Sequence, residues 1–122
     1  MPTIARPDVT EYAPYYQGYV SQVPQDGDIL ELLEHQLGDT VALLSGVSEE
    51  KAAYRYAEGK WSIKEIIGHL VDSERVFAYR ALTFARGESG PLPSFDQDTF
   101  VANGGFADRT LRDLVGEFVH VR

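Results

Sequence analysis

A chain of 122 residues is long enough for one domain with a single modest core, and 43% apolar with 25% charged residues excludes a disordered or fibrous protein. Nineteen acidic against eleven basic residues give a net charge of −8, which leaves no clustered cationic surface to displace counterions from nucleic acid or to bind an anionic membrane. With no cysteine, no apolar run long enough to span a bilayer and no hydrophobic segment in Met1 to Arg6, the chain is expected to be cytoplasmic and free of disulfide or thiolate chemistry.

Residues 1–27 show no periodic element. Pro2, Pro7, Pro14 and Pro24 alternate with Tyr12, Tyr15, Tyr16 and Tyr19, which predicts an ordered strap that buries its rings against a helical bundle, or else a tyrosine-rich binding surface. From Asp28 to about Leu44 the spacing of Ile29, Leu33, Leu37, Val41 and Leu44 predicts a helix, with Leu30 widening the stripe. Asp28 is its N-cap and Ser45-Gly46 its stop. Gly38 inside it predicts a close helix approach, and His35, off the stripe, is expected in solvent.

Ser48-Glu49-Glu50 opens a short turn, and a linker follows through Gly59. Ser62-Ile63-Lys64-Glu65 is a capping box, with Trp61 placed to staple onto Ile66. The helix it starts runs from Ile63 to about Arg86 and closes at Gly87, with Ile63, Ile66, Leu70, Phe77, Ala81 and Phe84 on its apolar side. Residues 88–107 read as a long loop, either functional or a crossover between bundle helices. Asp108 is placed to cap a third helix with the stripe Leu111, Leu114, Val115, Phe118 and Val119. No glycine, proline or capping residue ends that helix, which is expected to be still running at Arg122. The pattern is all-α, with three long helices in a single domain over 1–122.

The second helix carries the residues with chemistry: His69, Asp72, Ser73, Glu74 and Arg80. His69, Ser73, Val76 and Arg80 share one ridge beside the apolar stripe. Glu74 lies within the stripe, where a carboxylate must find a partner; Arg80 serves only if another element brings the two together. His69 has two readings. It is a metal ligand projecting into a bundle pocket, or a flank histidine with one nitrogen hydrogen-bonded and the other wet. A single histidine specifies no coordination sphere, and a catalytic zinc site takes about three protein ligands. His35 and His120 sit on other helices without ligand spacing. No phosphate-binding glycine loop, nucleophile elbow, His-Glu-x-x-His or Glu-x-x-His motif is present.

The stretch from Arg55 to Arg80, with Lys60-Trp61-Ser62 and His69-Leu70 at its centre, closely resembles the DinB-like superfamily. Leu92 to Phe100 and Tyr12 to Tyr19 share the resemblance, which therefore covers nearly the whole chain. It implies an up-down-down-up four-helix bundle with a long crossover between the second and third helices. It also implies a three-histidine site for a divalent metal, nickel or zinc, in which His69 matches the ligand from the second helix. The other two ligands come from a His-x-x-x-His pair on the last helix, and no such pair occurs here. The domain is accordingly expected to lack its C-terminal helix, leaving Ile66, Leu70, Leu111 and Phe118 partly open and favouring a homo-oligomer. No catalytic residue is assigned beyond this.

The resemblance implies a metal-dependent hydrolase or thiol-dependent transferase of unassigned substrate. The alternative is a non-catalytic, stress-associated bundle that binds a small molecule or oligomerises. Direct DNA contact is disfavoured by the acidic balance.

Overall fold

The computed structural model describes residues 4–122; the first three residues, Pro2 among them, lie outside the described residues. It is all-helical, and the described residues form six α-helices and no strand. The chain divides into two compact units, Met1–Ala42 and Leu43–Arg122, with the division inside the last turns of α2 (Ile29–Ser45).

In the first unit the proline- and tyrosine-rich segment is not structureless. Pro14 starts a 3-10 turn, Pro14–Tyr16, that runs into the short α1 (Gln17–Val20), as expected of a proline placed in a first turn. Tyr15 packs edge-on against Tyr16, with centroids 5.1 Å apart, and at a tilt against Tyr19. All three rings are exposed rather than buried, Tyr15 by 74%. Asp28 caps α2 as its side chain predicts, its Oδ1 accepting from the Leu30 amide at 2.9 Å. Gly38 faces open space, so it marks no close helix approach.

The second unit is built on α4 (Ile63–Ala85). Its start is a complete capping box: the Glu65 amide donates to Ser62 Oγ at 3.2 Å and the Ser62 amide donates to Glu65 Oε1 at 3.1 Å. Its end is a glycine cap. Gly87 has φ +92, and the amides of Gly87 and Glu88 turn back onto the carbonyls of Phe84 and Thr83 at 3.0 Å each. Before α4, Ser48 caps the short α3 (Glu49–Ala53).

Residues 88–107 are not one loop. They contain α5 (Gln97–Asn103), capped by Asp96 through the Thr99 amide, and the start of a 3-10 turn, Phe106–Asp108. That turn occupies Asp108, so the N-cap of α6 (Leu111–Val121) is Thr110 rather than Asp108. A second, long-range cap joins it: the Leu111 amide donates to a Glu49 carboxylate oxygen at 2.9 Å, placing negative charge at the positive end of α6.

α4 packs against α3, α5, the 3-10 turn and α6. The core consists of Leu44, Ala52, Ile67, Val71, Val101, Phe106, Leu111, Leu114 and Phe118. This corrects the expected face of α4. Ile67, Gly68 and Val71 are buried, while Ile66 (41%), Phe77 (60%) and Phe84 (54%) remain exposed. The reason is steric: Gly68 has no side chain, and the Phe106 ring lies directly on its Cα. The bulkier stripe beside it offers no such approach. Leu111 and Phe118, expected to be partly open, are buried at 4% and 3% exposure because α6 turns them onto this smooth face of α4.

Candidate functional site

The capping box that starts α4 also shapes the candidate site. Ser62 is fixed and buried, so Trp61 immediately before it is held across the first turns of the helix. Its ring lies against His69, with centroids 5.1 Å apart and planes tilted 45°. Ile66, onto which the ring was expected to staple, is 41% exposed.

His69 is half-buried. Its Nδ1 is shielded from solvent and has no hydrogen-bond partner, an arrangement that costs free energy unless something outside the described residues engages that nitrogen. The rest of the residue is anchored. Ser73 Oγ donates back to the His69 carbonyl at 2.8 Å, which holds Ser73 in the helix and away from any nucleophilic role.

The acidic neighbours are held in separate arrangements. Burial raises the Asp72 carboxyl above the ordinary aspartate range; Arg75 opposes that shift, Glu117 reinforces it, and His69 opposes it. Burial would likewise raise Glu117, but Arg109 and Arg75 grip it from two sides, at 2.5 and 2.6 Å, and it stays below the usual glutamate range. Glu74 finds its partner not in Arg80 but in Arg122, the residue that caps the end of α6, Oε1 to Nη1 at 3.1 Å. Arg80 instead donates from Nη2 to the Pro93 carbonyl at 3.1 Å.

Of the residues singled out on α4, the structure joins His69 to Ser73 and places Asp72 in its electrostatic range, but sends Glu74 and Arg80 elsewhere. The contact that sequence reasoning missed is Trp61 on His69. A ring one residue before an N-cap and a histidine two turns into the helix carry the signal, with which the staple pattern toward Ile66 competes. His35 is exposed, as expected. His120, at the last turn of α6, directs Nδ1 to the Gly116 carbonyl at 2.7 Å.

A catalytic divalent metal takes about three protein ligands. Among the described residues no group of three or more His, Cys, Asp or Glu could hold a metal ion. His69 fits as a single imidazole ligand with an unengaged nitrogen, but the described residues do not complete a metal centre. No helix among them is long and apolar enough to cross a membrane.

The chain belongs to the DinB superfamily, whose family model matches residues 32–122. It is also similar to a protein of Oceanobacillus iheyensis provisionally named a metal-dependent hydrolase, at 30% identity over 69 residues. That match covers 57% of this chain and 38% of the relative, so the chain spans well under half of the relative's length. No solved structure matches significantly.

Proposed function

We propose that the chain is part of a metal-dependent hydrolase or thiol-dependent transferase, with His69 contributing one ligand to nickel or zinc and the other ligands supplied from outside the described residues. The observation that carries this reading is the buried Nδ1 of His69, which has no hydrogen-bond partner. The name of the Oceanobacillus iheyensis relative supports it at the level of metal dependence. A divalent ion at such a site lowers the pKa of a bound water or thiol. The residues here act by orientation: Trp61 fixes the plane of the imidazole and the Ser73 bond secures the backbone beneath it.

Trp61 is the sole tryptophan of the chain, so its fluorescence reports on His69. Titration with nickel(II) is expected to quench it saturably, and the saturation is expected to disappear in His69→Ala. Elemental analysis of the natural full-length protein is expected to give stoichiometric nickel or zinc, lost in the same variant. Metal content unaffected by His69→Ala would overturn the assignment.

One observation favours a second, non-catalytic reading. The stripe of Ile66, Phe77 and Phe84 along α4 is open, and an apolar stripe of this kind suits a second copy in a homo-oligomer. Absence of metal together with a concentration-dependent mass in analytical ultracentrifugation would favour that role.

A further inference from the structure

The C-terminal half of α4 and the segment that follows it enclose a groove that the His69 site does not use. Val76, Tyr79 and Arg80 form one side and Pro93, Phe95 and Phe100 the other, around a cavity of about 350 Å³. That volume lies at the lower end of small-ligand sites. The rings of Phe95 and Phe100 are 5.0 Å apart and tilted by 45°, so the second side is a preformed aromatic corner. Asp96 holds it in place by capping α5 between the two rings.

Two arginines reach this groove, and their situations differ. Arg75 is neutralised by Glu117 at 2.6 Å. Arg80 is half-buried, spends one donor on the Pro93 carbonyl and lies 5.7 Å from the centroid of Phe77. No carboxylate of the described residues is within ion-pairing distance of it. A guanidinium has five N–H donors in a planar fork that matches a carboxylate. In a protein of net charge −8, a half-buried arginine without an acidic partner, set in an aromatic groove, is a site for an anion from outside.

The geometry points to a small aromatic monocarboxylate as the ligand of this groove, with its ring against Tyr79, Phe95 and Phe100 and its carboxylate on Arg80. A single guanidinium on an acidic protein suits one negative charge better than a phosphate dianion, which the surrounding field repels. The aromatic lining favours a flat ring over a flexible chain, because ring stacking adds to simple area burial. The inference requires no residue of the His69 site and no metal.

The test is calorimetric titration of the chain with 2-naphthoate and with 2-naphthalenemethanol, which carries the same ring without the charge. The acid is expected to bind at least about ten-fold more tightly, the range set by one charge-assisted hydrogen bond in a partly dry site. That preference is expected to vanish in Arg80→Gln and to persist in Arg75→Gln, while Phe100→Ala weakens both probes together. Should Arg80→Gln lower the thermal midpoint, the wild-type chain decides alone, through the acid-to-alcohol ratio and the amide shifts of Tyr79 and Phe95. Equal affinity for the two probes, shifts confined to another part of the chain, or tighter binding of decanoate than of naphthoate would each overturn the assignment.

Discussion

Gly68→Ala is the sharpest probe of the packing at the centre of the second unit. In an unconstrained helix the change stabilises by about 1 kcal/mol, because alanine loses less backbone entropy than glycine. Here a Cβ would fall on the Phe106 ring, 2.5 Å from Cδ1 and nearer still to Cγ and Cδ2. These are atoms at the base of the ring and not a flexible tip. The ring is crowded at its far end as well, since a Cβ at Gly104 would lie 2.6 Å from Cζ. Overpacking a rigid core site costs about 1–3 kcal/mol, and a buried ring that closely approaches two glycines belongs at the upper end. Subtracting the propensity gain leaves a net destabilisation of about 2 kcal/mol. Urea unfolding followed by circular dichroism measures it directly. Gly116→Ala in α6 is the reference, because its Cβ would meet nothing within 4 Å, and it is expected to stabilise by up to about 1 kcal/mol. If Gly68→Ala proves as stable as the wild type, the Phe106 ring does not lie where this packing requires.

Three further outcomes are expected. Ser62→Ala removes one half of a buried capping box and should cost about 1 kcal/mol in the same urea assay; an unchanged midpoint would show that the cap is dispensable. Acid should destabilise the fold. The Leu111 amide bond holds Glu49 below the usual glutamate range. Burial opposes the same displacement at Glu65 and Glu117, but hydrogen bonds from Ser62 and Arg55, and from Arg109 and Arg75, outweigh it. Carboxyls with folded pKa values below their unfolded ones contribute stability that is present above about pH 4.3 and is lost as pH falls through the depressed values. Asp72, raised by burial, works in the opposite sense. A urea midpoint that stays flat between about pH 5 and pH 3 would contradict this sign. Finally, His69→Phe keeps a ring against Trp61 while deleting the unpartnered Nδ1, and should leave stability unchanged or slightly improved. A loss above about 1 kcal/mol would mean that this nitrogen has a partner within the chain.

The sequence by itself determined where α2 and α4 begin and end. Asp28, the Ser62–Glu65 box and Gly87 act on their immediate neighbours, through hydrogen bonds spanning a few residues, so their meaning is readable without knowing the fold. It also determined the all-helical class and, through Lys60-Trp61-Ser62 and His69-Leu70, the family. The residues of α4 that form the core were not legible in the same way. This helix is apolar on two adjoining faces, and periodicity favoured the larger side chains of Ile66, Phe77 and Phe84. Which face is buried was decided by a shape match between Gly68 and a ring distant in sequence, Phe106. The candidate site divides along the same line. The position of His69 on the helix left two readings open and only the family resemblance singled it out as a ligand, while its contact with Trp61 was not legible at all. The pairing of Glu74 with Arg122 and the bond from Arg80 to the Pro93 carbonyl were equally hidden. A cap is a local bond whose partners are adjacent in sequence, whereas burial and ion pairing depend on which distant element arrives, and only the tertiary structure contains that.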